Sequence, residues 1–321
     1  MFAMRGIAVS FSVFVILYCV LSVTLCGVWR RMWLGGQQYS ARRYADLLFA
    51  LRLAPLVVAA GVTLLLAVPS FLLLEPRAVD EPLGAVPVVL SLCGMVLLLV
   101  GGWKACAALV RASRTVARWS SEGRASASVT VDFMNSVSML RISGSAPPLT
   151  AAGILWPSVW LSQAAEFVLT ERELETALRH EVVHVRRRDN LRKLMLRLVV
   201  FPGMAELESA WREATEMAAD DAAVSSASEA LDLAAAVIKL SRLAPLEPPA
   251  ELTTALVHSP AESVNARVER LIAWTERQQN PPPGYSFVYP LCAAAAVVVT
   301  LAVTYSQLLV RVHAATEWLV R

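Results

Sequence analysis

Four long apolar runs constrain this chain of 321 residues more than any other feature of its sequence. Three of the runs contain no charged residue, and one contains a single lysine, Lys104. Each run is long enough to cross the hydrocarbon core of a bilayer as a helix, and four such runs are not typical of helices buried in a soluble core. The sequence therefore predicts four membrane spans, at about 6–28, 53–74, 85–110 and 286–310.

The first of these runs could also be a cleaved signal peptide, because it lies at the N-terminal end. It is longer than the usual apolar segment of a signal peptide, and no A-x-A cleavage pattern follows it. We therefore predict that residues 6–28 form a retained span.

Arginines set the predicted orientation of the spans. Residues 29–52 carry five arginines against one acid, Asp46, and three more arginines follow the third span, at positions 111, 114 and 118. Positive charge next to membrane spans favours the cytoplasmic side, although Arg5 weakly opposes this arrangement. The sequence thus predicts an outer N-terminus, a cytoplasmic domain at 111–285 and a short extracytoplasmic tail at 311–321.

The most informative motif in the predicted domain is His180-Glu181-Val182-Val183-His184, an H-E-x-x-H pattern. Thr170 and Glu173 form a capping-box pattern that predicts the start of a helix around it. Residues four apart lie on one face of a helix, so His180 and His184 can bind one Zn²⁺ ion. Glu181 is then placed to act as the general base. The alternative is a surface helix with two chance histidines.

A catalytic zinc ion usually takes three protein ligands, so a third is needed. Position 190 is Asn190, which excludes the extended motif with a third histidine there. A carboxylate from the predicted helix 204–224 is the expected ligand, with Glu216 preferred and Glu213 as the second choice. Asp220 lies one turn after Glu216 and could accept the other N–H of a ligating histidine.

The region 111–285 is predicted to have an α+β fold. Segments 128–135 and 138–143 have strand-like composition, and 150–162 predicts two short strands joined by a turn. Pro157 indicates that the second of these strands lies at a sheet edge or begins at Pro157. Such an edge could take up an extended peptide, but an ordinary edge strand explains the pattern equally well. Helices are predicted to follow the motif at about 190–202, 204–224, 227–243 and 259–278.

The block from His180 to Asp220 resembles a known protein family. The segment HEVVHVRRRDN, then Trp211 and the segment EMAAD at 216–220, resembles the BlaR/MecR-type membrane peptidases, the gluzincin antirepressor family. The segment GILWPSVWLS at 153–162, the region 267–271 and the arrangement of three spans before the domain and one after it are also similar. The resemblance covers roughly 1–310, but only the block 180–220 is specific.

This resemblance implies a fold and a set of roles. It implies an α+β gluzincin domain inserted in a framework of four transmembrane helices, in a chain that is mostly α overall. By the same resemblance, zinc would be bound by His180, His184 and Glu216, Glu181 would be the general base, and Asp220 would orient a ligating histidine. The family also implies regulated proteolysis at a bacterial inner membrane, with a transcriptional repressor or the chain itself as substrate.

One departure limits what the resemblance implies. The better-known sensors of this family carry a penicillin-binding domain after the fourth span. Here the sequence ends at Arg321, with no S-x-x-K segment. Direct sensing of β-lactams is therefore not expected, and a signal would arrive through the spans, the short loops or a partner protein.

Three functions remain open from the sequence. The first is the regulatory zinc endopeptidase, the second a membrane quality-control metalloprotease, and the third a non-catalytic signalling scaffold. The expected partners are a protein or peptide substrate and the lipid bilayer, while the net charge of +3 gives no support for direct nucleic-acid binding. His258 and Tyr285 are the late candidates for stabilising an oxyanion, and the oligomeric state stays open.

Overall fold

A computed structural model gives the fold of most of the chain. It describes residues 2–32, 40–76, 84–122, 137–142, 147–243, 252–256, 261–274 and 288–320. The predicted strand at 128–135 and the two oxyanion candidates, His258 and Tyr285, lie outside the described residues.

Among the residues described, three helical segments are long and apolar enough to cross a membrane, and they span Phe2–Trp29, Ala41–Leu74 and Ala85–Ser121. The helices that form them are α1 (Phe2–Met32), α2 (Ala41–Val62), a π-helical segment (Thr63–Ala67), α3 (Val68–Leu74) and α4 (Ala85–Glu122). The first three predicted spans are therefore helical, as expected for a membrane protein. Each helical segment extends beyond its predicted span, because a helix can continue into polar residues after the apolar run has ended.

The fourth predicted run lies in helix α11 (Val288–Val320), which packs against α1, α3, α4 and the π-helical segment. The helix continues past residue 310 to Val320, so residues 311–320 of the predicted tail are helical, and the side of the membrane on which they lie stays a prediction. In the π-helical segment, the carbonyl of Leu65 accepts a hydrogen bond of 2.8 Å from the Tyr305 hydroxyl of α11. A π-helical turn disturbs the regular backbone ladder, and this hydroxyl satisfies one of its carbonyls.

Arg5, the positive charge that weakly opposes the predicted orientation, forms an ion pair. Arg5 of α1 and Glu75, which follows α3, form a buried ion pair with 3.2 Å between Nη2 and Oε1. A buried arginine that faces a carboxylate is not a free positive charge beside the membrane. Arg5 therefore carries less weight against the orientation that the other arginines favour.

A small sheet forms the floor of the domain between the third and fourth runs. Its strands are β1 (Met139–Ile142), β2 (Leu149–Ala152), β3 (Ser158–Ser162) and β4 (Thr254–Ala255), in the order β1-β3-β2-β4. Strand β3 pairs parallel with β1 and antiparallel with β2, and β2 pairs antiparallel with β4. The predicted strands at 138–143 and in 150–162 are confirmed.

The edge-strand interpretation of the second predicted strand is wrong. Strand β3 lies inside the sheet, because β2 pairs with one side of it and β1 pairs with the other. Pro157 instead precedes β3, which begins at Ser158, so the alternative that placed the strand start at the proline is within one residue. Proline is tolerated there because the sheet needs no N–H from that position.

Among the described residues, six helices complete the domain, and the first two of them contact the sheet: α5 (Gln163–Val168), α6 (Glu171–Arg187), α7 (Asp189–Leu198), α8 (Ala205–Ala223), α9 (Ala227–Leu243) and α10 (Ala261–Ile272). The main core lies where Leu178 and Val182 of α6 pack with Leu149 and Val159 of the sheet and with Leu233 of α9. Burial of each such side chain stabilises the folded domain by about 1.5–3 kcal/mol. The helix that carries the H-E-x-x-H motif is thus at the centre of the domain.

The domain is packed directly onto the membrane helices. Ala45 and Leu48, in the first half of α2, are buried against Trp211 and Ala214 of α8. Deeper in the bundle, Val199 lies in a cluster with side chains of α1 and α2 that include Phe14, Tyr18 and Ala59. The connection between α7 and α8 therefore penetrates between the membrane helices.

A buried arginine fixes this connection. Arg52 of α2 donates a hydrogen bond of 2.9 Å to the carbonyl of Val199, and its other terminal nitrogen lies 2.8 Å from the sulfur of Met204. The carbonyl that ends α7 is satisfied in this way, as a buried helix end requires. Helix α4 also packs closely against this connection, because a Cβ atom at Gly101 would collide with the carbonyl of Leu198.

Candidate metal centre

Helix α6 begins with the predicted capping box. The Thr170 hydroxyl accepts from the Glu173 backbone N–H at 3.4 Å, and the Glu173 carboxylate accepts from the Thr170 backbone N–H at 2.8 Å. This start sets the rotation of the helix, and one face then points into the domain. His180, Glu181 and His184 all lie on that face and are buried.

The two imidazoles meet at one point. Nε2 of His180 lies 3.0 Å from Nε2 of His184. Helix α8 brings Glu216 to the same point, with its Oε2 3.5 Å from His180 Nε2 and its Oε1 3.6 Å from His184 Nε2. The three predicted ligands are therefore together, and they form a possible metal-binding group. Glu213, the second choice, is exposed on α8.

A cation fits between these atoms for an electrostatic reason. The other ring nitrogens face carboxylates: His180 Nδ1 is 3.0 Å from Asp220 Oδ1, and His184 Nδ1 is 2.7 Å from Asp189 Oδ2. Carboxylates favour the proton on Nδ1, which leaves a lone pair on each Nε2. Two lone pairs at 3.0 Å repel each other unless a proton or a metal ion lies between the two nitrogens. Tetrahedral zinc would hold the two nitrogens about 3.3 Å apart, so little movement is required.

The surrounding charges favour a positive charge at this point. Burial lowers the pKa of His180, but Asp220 and Glu216 more than offset this and raise it to about 9. Burial raises the pKa of Glu216, whereas His184 and His180 lower it more strongly, to about 2. Carboxylates that stay ionised in a buried site next to imidazoles are the environment that metal ions occupy in proteins.

Asp220 is itself held by Arg267 of α10. The guanidinium donates from Nε to Asp220 Oδ2 at 2.8 Å and from Nη2 to Oδ1 at 2.7 Å, a two-point contact. It also donates from Nη1 to the Leu256 carbonyl at 2.6 Å and lies 3.2 Å from Glu216 Oε2. Burial would raise the pKa of Asp220, but Arg267 holds it well below the ordinary value. The predicted role of Asp220 is thus matched by its position, and Arg267 supports it.

Asp189 is a site residue that the sequence reasoning did not identify. Helix α6 ends at Arg187, and the next residue, Arg188, has a positive φ of 54° that turns the chain so that Asp189 begins α7. This turn brings the Asp189 carboxylate back to His184. The signal in the sequence was weak, because Asp189 comes five residues after His184 and only the turn at Arg188 makes the contact possible.

Glu181 lies beside the three ligands and next to strand β2. Burial raises the pKa of its carboxyl to about 8, and the charge on Glu216 adds to this rise, while the backbone N–H of Ala151 opposes it. A carboxylate whose pKa lies near neutrality can both accept and return a proton. The general-base role of Glu181 stays a prediction of the motif.

No protein-family model matches this chain, and no curated protein is significantly similar to it. The resemblance to the BlaR/MecR-type peptidases therefore stays a prediction, and it depends on the residues of the block 180–220. The metal centre is argued from its own geometry.

Proposed function

We propose that the chain is a membrane-anchored, zinc-dependent endopeptidase of the BlaR/MecR type, with a gluzincin domain that faces the cytoplasm. The observation that carries the proposal is the convergence of His180, His184 and Glu216, with buried Glu181 beside them. Two imidazoles and one carboxylate are the ligand set of catalytic zinc sites that keep one position open for water or substrate.

When bound, zinc would polarise the peptide carbonyl and lower the pKa of a water molecule. Glu181 would accept the proton of that water and return it to the nitrogen of the leaving amine. Asp189 and Asp220 hold the imidazoles with both Nε2 atoms aimed at one point. Arg267 keeps Asp220 ionised, and Asp220 Oδ1 lies 3.0 Å from His180 Nδ1, where it would orient the ring.

Glu181 also supports a catalytic function over a structural one. Burying an ionisable carboxyl without a hydrogen-bond partner costs free energy, so a function is the simplest reason for Glu181 to be kept in such a place. A structural zinc site needs ligands but no proton acceptor. The position of Glu181 therefore favours a peptidase over the scaffold alternative.

The proposed substrates are proteins close to the membrane surface. Helix α8, which carries Glu216, packs on α2, and the connection between α7 and α8 enters the helix bundle. The site is therefore held near the bilayer by its own elements. A transcriptional repressor or a loop of the chain itself fits this proposal, and membrane quality control is the alternative.

The test compares wild type with Glu181→Gln in lipid nanodiscs, with Glu213→Gln as the matched control on an exposed glutamate. Zinc per chain is measured by mass spectrometry, and hydrolysis is followed on unfolded casein and on the chain itself. We expect about one zinc per chain in all three proteins, with cleavage by wild type and Glu213→Gln only. Zinc with no cleavage by wild type would favour the scaffold, and cleavage by Glu181→Gln at the wild-type rate would exclude Glu181 as the base.

A further inference from the structure

The turn between β2 and β3 carries three consecutive apolar residues: Ile154, Leu155 and Trp156. They divide sharply in burial. Ile154 packs inward, in a cluster with Ala108 and Ala112 of α4. Leu155 is 67% exposed and Trp156 is 85% exposed. Contact of the apolar tryptophan and leucine side chains with water costs free energy, and no described residue covers them.

The turn is held in a fixed conformation. Gly153 has a φ of +102°, and a side chain there would lie 2.8 Å from the carbonyl of Trp156. The Asn190 side-chain amide donates to the carbonyls of Ala151 and Gly153, both at 3.1 Å. The backbone that carries the two exposed side chains is thus fixed.

The position of the turn along α4 identifies what lies around it. Its contacts, Ala108 and Ala112, are at the point where the apolar run of α4 gives way to its first arginine, Arg111. Leu109 and Val110 are exposed on the same stretch of α4, and so is Trp103 two turns earlier. Tryptophans concentrate at the level of the lipid headgroups, where an apolar ring and a polar N–H are both satisfied.

Other parts of the domain lie even deeper than this turn. Val199 contacts residues inside the helix bundle, and Leu198 approaches Gly101 of α4, which precedes Ala108 by about 10 Å along the helix axis. The domain therefore packs into the bundle, and the β2–β3 turn lies at the level of α4 where its apolar run ends. A partner protein would have to occupy space that the lipid leaflet already fills.

We infer that Leu155 and Trp156 insert into the lipid leaflet on the side of the metal centre and anchor the β2–β3 turn at the interface. The same hairpin contacts α6 through β2, and Asn190, which holds the turn, follows Asp189 directly. Lipid contact at the turn would thus position the metal centre relative to the membrane. The inference does not depend on the peptidase proposal, because it concerns only the level of the turn.

Phe167 provides a matched control within the same layer of the domain. It is 92% exposed and follows β3 at the end away from the turn, after most of α5. One strand of five residues separates the two ends by about 16 Å. Phe167 should therefore face water, although its side chain is as exposed and as apolar as that of Trp156.

The experiment places a nitroxide at each position through Trp156→Cys or Phe167→Cys, in a full-length chain with the native cysteines replaced by alanine. The protein is reconstituted in vesicles of phosphatidylcholine and phosphatidylglycerol, and power-saturation EPR measures accessibility to oxygen and to a water-soluble nickel complex. Helix content from circular dichroism confirms that each variant is folded.

We expect the label at 156 to be accessible to oxygen and to lose most of its accessibility to nickel, because it lies among acyl chains. The label at 167 should show the reverse pattern. Equal accessibility to nickel at both positions would overturn the inference and place the turn in water. Protection of the label at 156 from both reagents would overturn it as well, in favour of a protein contact.

Discussion

The two histidines of the metal centre are held by different parts of the molecule. His180 faces Asp220, which Arg267 binds from α10, and both supporting side chains are about 1% exposed. His184 faces Asp189, whose other oxygen lies 3.6 Å from Nε of Arg187. Arg187 then contacts Asp46 of α2 at 3.1 Å, and the Asp46 side chain is 44% exposed.

The two histidines thus differ in how far the contacts that hold them are buried. Asp220 and Arg267, which hold His180, are buried inside the domain. Removing one of them therefore leaves the charge of the other buried and unpaired. The support of His184 ends in a solvated contact with a helix that continues toward the membrane, and such contacts are worth little individually. We therefore expect substitutions on the His180 side to affect folding, and those on the His184 side to affect metal affinity more than folding.

Arg267→Leu should have the largest effect, because it leaves the Asp220 and Glu216 carboxylates buried without their cation. The expected loss is about 3–5 kcal/mol of unfolding free energy, measured by thermal unfolding followed by circular dichroism. Arg270→Leu is the control on the same helix, since its ion pair with Asp221 is partly exposed and should be worth less than about 1 kcal/mol. Equal losses in the two variants would contradict the buried-support account.

Asp189→Asn should reduce zinc affinity by about 10–100-fold, the usual cost of losing a carboxylate that orients a ligating histidine. Competition with a chelator of known affinity measures the change. The melting temperature of the zinc-free protein should change little in comparison with Arg267→Leu. Asp221→Asn, an acid that does not contact the metal centre in the described structure, should keep wild-type affinity, and a similar loss there would remove the case for Asp189.

Glu229→Gln probes a second contact on the His180 side, because Glu229 of α9 binds Arg179 of α6 at 2.8 Å. The Ser225 hydroxyl and N–H, together with Arg179, lower the pKa of Glu229 from 4.5 to about 2. A lowered folded-state pKa stabilises the fold fully above about pH 4.5, and this contribution is lost as the pH falls toward 2.

The variant should therefore lose about 1 kcal/mol at neutral pH, and its difference from wild type should narrow below about pH 4.5. Unfolding midpoints across this pH range measure the trend. Glu175→Gln, which removes the more exposed carboxylate from the same arginine, should have a smaller effect. A difference that stays constant to about pH 3 would exclude titration of Glu229 as its origin.

Asp46→Asn should have the smallest effect on folding, below about 1 kcal/mol, because its contacts with Arg187 and Arg192 are partly solvated. If Asp46 acts through Arg187 on Asp189, it should also lower zinc affinity, by less than about 10-fold. A double-mutant cycle with Asp189→Asn tests this directly. Non-additive losses would link the two residues, whereas additive losses would contradict the connection from α2 to His184.

The parts of this architecture that sequence patterns predict are local. The capping box at Thr170, the helical spacing of His180 and His184 and the apolar membrane runs are all readable within one or two turns of chain. Glu216 was preferred to Glu213 because of its spacing from Asp220 and the family resemblance. The structure places Glu216 at the histidines and Glu213 in solvent.

The parts that the sequence did not predict depend on contacts between distant segments. Arg267 reaches Asp220 only because α10 packs beside α8, and no local pattern marks that contact. Strand β3 became an inner strand because β1 pairs with it in parallel, across a connection whose register local propensity does not set. Asp189 needed the left-handed turn at Arg188, which is uncommon for a residue with a long side chain.

The metal centre can be tested most directly by zinc K-edge X-ray absorption on the wild-type protein in nanodiscs. We expect stoichiometric zinc with nitrogen and oxygen neighbours at about 2.0–2.1 Å, and multiple scattering from two imidazole rings. These are the ligands that His180, His184 and Glu216 supply. Absence of bound zinc, or a spectrum dominated by sulfur neighbours at about 2.3 Å, would contradict the account.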